Sequence, residues 1–313
     1  MMNGIKRLLT KARAHGVTGT WRIISKALKQ AAMEVSWGAR PQDKLALLVR
    51  WLLVPFYTII RGEFPYAEFY PFNVMLRTPS GALFYCVRGT GDVFALTFDQ
   101  GQWGEGFRLD INQFLPPDGG VFVDVGANVG KYTVEVARQI GREGVVVALE
   151  PNPDVYRRLL FNLALNGLSN VIPLNVAADE CERRVTLWVN PVYHGESSLH
   201  MPSGRDDRAR QHARALTPIE VDARPLDDIL DELGLRGRVR LVKIDVEGHE
   251  FSVLIGSGRL LRDQRPTIGF EAWDEARLEA IERLLDKFGY EVSALGGCNF
   301  VAEPRREADG SDR

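Results

Sequence analysis

From Val121 onward, short apolar runs alternate with stretches whose apolar residues recur at helical spacing. Val121–Val125, Val145–Glu150, Val171–Val176, Val239–Asp245 and Thr267–Glu271 are near-continuous runs, the pattern of strands buried on both faces. After the first run, Val129, Thr133, Val136, Ala137 and Ile140 share one helical face before Gly141. After the second, Asn152 is placed to cap a helix that Pro153 opens and that buries Val155, Leu159 and Leu163. Phe251, Leu254, Ile255, Gly258 and Leu261 predict a helix after the fourth run; Leu278, Ile281, Leu285 and Phe288 predict one after the fifth. Such alternation predicts an α/β fold around a mostly parallel sheet. Tyr290–Leu295 and Asn299–Ala302, joined across Gly296-Gly297, predict a closing antiparallel hairpin, and Arg184–Val189 an extra edge strand.

The upstream pattern differs. Asn73–Arg77 and Ala82–Val87 read as a hairpin around Pro79-Ser80-Gly81. Residues 1–62 read as helices with a basic surface, and 303–313 as a disordered polar tail. The division expected is a basic helical N-terminal arm, 1–62, and a second domain, 63–313, with a lead-in at 63–120 and an α/β core at 121–302. The apolar run from Leu45 to Ile60 is shorter than the ~20 residues of a spanning helix. Arg50 lies near its centre, and Pro55 is expected to break it. A helix packed on the main domain is the first reading and an in-plane membrane helix the second.

Composition narrows the class. At 45% hydrophobic and 26% charged residues, the 313-residue chain is ordinary globular material able to bury a core. Cys86, Cys181 and Cys298 are sparse and odd in number, which fits a reducing, cytoplasmic setting and no zinc or disulfide framework. The net charge of −2 hides an asymmetry: residues 1–62 carry eleven Lys and Arg against Glu34 and Asp43, about +9, so the remainder carries −11. Such an arm suits peripheral contact with anionic lipid or an acidic partner, with a solvated helical face as the alternative. No basic-aromatic platform points to nucleic acid.

In open parallel sheets ligands bind beyond the carboxyl ends of the strands. The predicted tips carry Asp124, Glu150, the stretch Val176-Ala177-Ala178-Asp179, Asp245 and Glu271. Asp124-Val125-Gly126-Ala127-Asn128-Val129-Gly130 is a strand end, a glycine turn and a helix start, and Glu150 ends the next strand. Gly126 and Gly130 let a ligand approach the backbone, and Glu150 is placed to take two ribose hydroxyls. Asn128 stands where a dinucleotide site has its second glycine, which favours a nucleoside without a pyrophosphate. Asp124 suits a cation such as an amino-acid ammonium; S-adenosylmethionine has both parts.

These residues carry a family resemblance. The chain resembles the FkbM-type, S-adenosylmethionine-dependent methyltransferases from about Trp103 to Ala302. The marks are Asp124–Asn128, Glu150-Pro151-Asn152-Pro153, Asn162 with Leu165-Asn166, Ser197-Ser198-Leu199, Pro225-Leu226-Asp227-Asp228, and Lys243-Ile244-Asp245-Val246-Glu247-Gly248-His249-Glu250. The resemblance implies a Rossmann-like class I methyltransferase fold, S-adenosylmethionine as cofactor, and transfer to a hydroxyl oxygen. Asp124, Gly126, Asn128, Gly130, Glu150, Asn152, Ala177 and Asp179 are the candidate cofactor residues. Asp245, Glu247 and His249 are the candidate catalytic ones: Asp245 to hold cofactor or acceptor, Glu247 or His249 as base. A lysine in a central strand needs a partner, and Glu271 is the expected partner of Lys243.

The turn Asp245-Val246-Glu247-Gly248 is not the (Asn/Asp)-Pro-Pro-(Tyr/Phe) turn of base amino-methyltransferases, which favours oxygen. Asn190–Pro218, with Tyr193, His194, Glu196, Ser197, Ser198 and His200, is the expected substrate lid. The expected acceptor is a hydroxyl of a sugar, glycolipid or secondary metabolite. The competing readings are a NAD-dependent oxidoreductase, against which Asn128 counts, and a non-catalytic module that keeps the fold.

Overall fold

The computed structural model describes residues 25–61, 72–97, 120–190, 197–200 and 216–305, positions 26 and 142 excepted. The chain divides into two compact units, Met1–Gly104 with Pro191–Gly195, and Glu105–Asn190 with Glu196–Arg313.

In the first unit, helix α1 (Pro41–Arg61) follows a helical stretch at 27–37. The hairpin expected at 73–87 is present as β1 (Val74–Arg77) and β2 (Leu83–Cys86), antiparallel, with Gly38 bridged to Leu76; α2 (Asp92–Thr97) follows. Helix α1 buries Ala46, Leu47 and Arg50, and the Arg50 guanidinium lies 2.6 Å from the buried Glu34 carboxylate, which also accepts from Trp51 Nε1. Pro55 does not end the helix as expected. A proline removes one N–H from the ladder, and α1 continues past it to Arg61. No helix among the described residues is long and apolar enough to cross a membrane.

The second unit carries a seven-stranded sheet. Its strands are β3 (Val121–Val125), β4 (Val145–Leu149), β5 (Val171–Leu174), β9 (Val239–Ile244), β10 (Thr267–Glu271), β11 (Tyr290–Gly296) and β12 (Asn299–Pro304), in the spatial order β11-β12-β10-β9-β3-β4-β5. Strands β5, β4, β3, β9 and β10 are parallel; β12 is antiparallel to β10, and β11 to β12. The expected closing hairpin thus enters the sheet through its second strand. Strand order reverses at β3, and the crevice of an open α/β sheet lies at such a switch point.

All five residues of β3 are buried because both faces are covered. Val121, Val123 and Val125 join Val147, Leu149, Val242, Ile244 and Phe270 under α5 (Leu226–Glu232) and α6 (Glu250–Ile255). On the opposite face Phe122 packs with Val146, Leu241 and the Val136, Ala137 and Ile140 side of α3 (Lys131–Gln139). By the two-residue period Asp124 faces α3 as well. Asn152 caps α4 (Pro153–Leu165), accepting from Asp154 N at 3.0 Å, and α4 buries Val155, Leu159 and Leu163 as its pattern predicted. Asp274 caps α7 (Glu275–Asp286) in the same way, accepting from Arg277 N.

Three expectations need correction. The edge strand appears as β7 (Arg183–Val189), but it belongs to a separate sheet, β6-β8-β7, with β6 (Ala177–Ala178) and β8 (Thr217–Arg224). The helix after β9 is shorter than predicted: Phe251 and Ile255 are 43% and 42% exposed, while Val253 and Leu254 are buried. Gly256 ends it where a β-carbon would stand 2.1 Å from the Asp179 carbonyl, and a short π-helical turn, Leu260–Gln264, takes over. The tail begins later than expected, because β12 runs to Pro304. Residues 1–24, 62–71, 98–119, 191–196, 201–215 and 306–313 lie outside the described residues, and with them most of the expected lid and tail.

Candidate active site

The β3 tip is bent by three residues of positive φ: Gly126 (77°), Asn128 (51°) and Gly130 (93°). Gly126 is required on two counts, since a β-carbon there would also meet the Asp245 carbonyl at 1.9 Å. Asparagine tolerates the left-handed region, and Asn128 Oδ1 accepts from Val129 N at 2.8 Å. The turn is tied to the β4 tip. Asn128 N donates to Glu150 Oε2 at 2.9 Å and Asn152 N to Glu150 Oε1 at 2.8 Å.

Glu150 is 7% exposed. Burial pushes its carboxyl up to about 7 against the pull of the two amides. Each oxygen takes one N–H and keeps one lone pair. Beside it, Asn152 Nδ2 is a buried donor with no partner among the described residues. An acceptor with spare capacity next to an unsatisfied donor matches the needs of a ribose diol. On that observation the residues present fit S-adenosylmethionine.

The cation beside Asp124 is Lys243. The β3–β9 register sets Asp124 opposite Lys243, and Nζ lies 3.3 Å from Asp124 Oδ1, 3.3 Å from Asp245 Oδ2 and 3.1 Å from the Gly126 carbonyl. Thr133 Oγ1 donates to Asp124 Oδ2 at 2.6 Å, so that carboxylate is held by a hydrogen bond from α3 and an ion pair from β9. Burial works against the Lys243 ammonium, but Asp245 and Asp124 overcome it and hold its proton more firmly than usual. Glu271 is therefore not the ion-pair partner of Lys243. Burial and the nearby Asp245 raise its carboxyl, and Trp273 Nε1 donates to it at 3.0 Å. Asp245 is 28% exposed at its side chain, the open acid of the β9 tip.

Beyond Asp245 the chain turns over the crevice. Glu247 has φ 54°, and its carbonyl accepts from Ser198 Oγ at 2.7 Å. Glu250 Oε1 takes the Val246 and Gly248 amides. His249 is 6% exposed, and both ring nitrogens are engaged: Nε2 lies 3.0 Å from Asp179 Oδ1, and Nδ1 lies 3.1 Å from His200 Nε2. Asp179 is fully buried and also takes Arg183 Nε at 2.7 Å and Glu180 N. Burial opposes its ionisation, but Arg183, the Glu180 amide and His249 hold the carboxyl below its ordinary range.

The structure thus brings Gly126, Asn128, Glu150 and Asn152 together, and Asp124 with Asp245 through Lys243. Asp179 stands with His249. Ala177 is buried in β6, paired with Ala223, and offers no polar side chain. His200 entered the sequence reading only as a lid residue. Its pairing with His249 spans 49 positions and has no local signal.

Residues 124–292 match the family model described as Methyltransferase FkbM domain. Methyltransferase 1 of Beauveria bassiana is 28% identical over 148 residues, 45% of this chain and 59% of that protein. Hexuronic acid methyltransferase AglP of Haloferax volcanii is 28% identical over 142 residues, 45% of this chain and 52% of that protein. Among solved structures, Methyltransferase FkbM from Methylobacillus flagellatus KT aligns with a TM-score of 0.44 at 15% identity, covering 88% of this chain and 58% of that one. The chain spans less than two thirds of the length of each of these three.

Proposed function

The chain belongs to the FkbM methyltransferase family, and from that premise we propose that it transfers a methyl group from S-adenosylmethionine to a hydroxyl oxygen of a sugar, glycolipid or other small molecule. The observation that carries the cofactor reading is the buried Glu150 carboxylate, with one lone pair left on each oxygen, beside the unsatisfied Asn152 amide. Glu150 accepts from the two ribose hydroxyls, and Asn152 Nδ2 donates to one of them. Gly126 leaves the backbone open at the switch point, and Asn128 fixes the bend.

Bound S-adenosylmethionine supplies an electrophilic methyl on sulfur. The chain supplies alignment, which is the larger part of such a displacement. Asp245, partly exposed at the β9 tip and held by Lys243, orients the acceptor, with Glu271 on the neighbouring tip. Two observations support oxygen and a sugar-like acceptor. The turn Asp245-Val246-Glu247-Gly248 lacks the proline pair of base amino-methyltransferases, and one relative is named for a hexuronic acid.

The test is calorimetry with S-adenosylhomocysteine on wild type and Glu150→Ala, followed by transfer from methyl-labelled S-adenosylmethionine to methyl glucuronoside. Binding by wild type, at least tenfold weaker binding by the variant, and an O-methylated product are expected. A wild-type protein that does not bind S-adenosylhomocysteine overturns the enzyme reading. Transfer to nitrogen in an amino-sugar control, with none to oxygen, overturns the acceptor class.

A further inference from the structure

We infer that His200 is the group that takes the proton from the acceptor hydroxyl, and that His249 and Asp179 are positioning residues that fix its tautomer. The inference rests on the methyl-transfer reading above and names the base for it.

The chain of contacts dictates where the protons sit. Asp179 is an acceptor only, and Arg183 and the Glu180 amide keep it ionised. Its Oδ1 stands 3.0 Å from His249 Nε2, so that nitrogen carries the hydrogen. A neutral His249 ring then accepts at Nδ1, and His200 Nε2, 3.1 Å away, donates to it. A neutral imidazole has one N–H, so the remaining lone pair falls on His200 Nδ1. Among the described residues no hydrogen bond engages that atom; the backbone N of His200 is the part that bonds Ser198 Oγ. This is the arrangement of a base oriented by a second group that is itself held by a carboxylate.

His200 lies on a segment tied to the turn that follows Asp245. Trp188 and Ser198 exchange backbone hydrogen bonds of 2.9 and 3.1 Å, which fixes the segment to β7. Ser198 Oγ then ties it to the Glu247 carbonyl, two residues beyond the Asp245 tip. His249, fully engaged at both nitrogens, has none left for an acceptor.

The charged groups around His200 come from three elements: Asp179 after β6, His249 before α6 and Arg277 on α7. Burial first, and Arg277 with it, hold the His200 imidazole below its ordinary range, against Asp179. In the transfer step His200 Nδ1 takes the hydroxyl proton as the O–H bond breaks. The oxygen's electron pair forms the O–CH3 bond, and the C–S pair returns to sulfur, leaving a neutral thioether. The resulting imidazolium faces Asp179 through His249 and later releases its proton to water.

Two measurements test this on the full chain. The first is long-range 15N–1H NMR of the histidine rings with S-adenosylhomocysteine bound, for wild type, His200→Gln and His249→Gln. The expected spectrum has the ring hydrogen on Nε2 of both histidines. Hydrogen on His200 Nδ1, or a charged His200 at pH 7, overturns the inference. The second is steady-state transfer to methyl glucuronoside. His200→Gln should lose about 100-fold or more in kcat, with the KM for S-adenosylmethionine within twofold. A His200→Gln variant within threefold of wild-type kcat overturns the base assignment while leaving the methyltransferase reading intact.

Discussion

Glu150→Gln separates charge from shape at the centre of the cofactor crevice. In the folded chain the Glu150 carboxyl titrates at about 7, against 4.5 for an ordinary glutamate, because it is buried. A raised carboxyl means that the folded chain holds a proton that the unfolded chain has already released between pH 4.5 and 7. Stability from this group therefore rises as pH falls through 7 toward 4.5 and is lost as pH rises through 7. Between pH 8 and pH 5.5 the gain is about 2 kcal/mol. Glutamine has nearly the same shape and does not titrate. It accepts from only one of the Asn128 and Asn152 amides and turns its own NH2 toward the other, a pH-independent cost of roughly 1–3 kcal/mol. Other titrating groups, Glu271 among them, are common to both proteins and cancel in the difference. Urea unfolding of wild type and Glu150→Gln, without ligand, at pH 8 and pH 5.5 measures that difference. Wild type should gain about 2 kcal/mol relative to the variant at the lower pH. A difference that stays constant, or that favours the variant at pH 5.5, refutes the reasoning.

Lys243→Met strands Asp124 and Asp245 without their shared cation and should destabilise the fold by about 3–5 kcal/mol, read by the shift in denaturation midpoint; a loss under 1 kcal/mol contradicts the ion-pair account. Gly126→Ala forces a β-carbon into the Asp245 carbonyl at a backbone φ of 77°, so S-adenosylhomocysteine binding should vanish and the melting temperature fall; retained affinity by calorimetry contradicts this. Ribose hydroxyls donate to the ionised form of Glu150, so S-adenosylhomocysteine should bind up to about 30-fold more tightly at pH 8 than at pH 5.5, with proton release at the lower pH. Equal affinity at the two pH values contradicts ribose contact at this carboxylate.

The sheet was legible in the sequence because each central strand is a closed apolar run ending at an acid. The α4 cap was legible because Asn152-Pro153 is a local signal. The glycine turn was legible as well, since Gly126 and Gly130 sit where positive φ is needed. Strand β8 was within reach but missed: Ile219, Val221 and Ala223 alternate with polar residues, yet the expected loop, Asn190–Pro218, took in its first two residues and the rest received no assignment. The α6 register failed because the break at Gly256 is imposed by the Asp179 carbonyl, more than seventy residues upstream. The Asp124–Lys243 pair depends on the β3–β9 register, which no local pattern encodes, and so Glu271 looked the nearer partner. The Asp179–His249–His200 line draws on three separate segments, and no single motif contains it.

A crystal structure of the full chain with S-adenosylhomocysteine tests the central claim most directly. The account predicts adenosine over the 126–130 bend, with both ribose hydroxyls about 2.7 Å from the Glu150 carboxylate. Density for the ligand at any other place, or ribose hydroxyls facing away from Glu150, would contradict it.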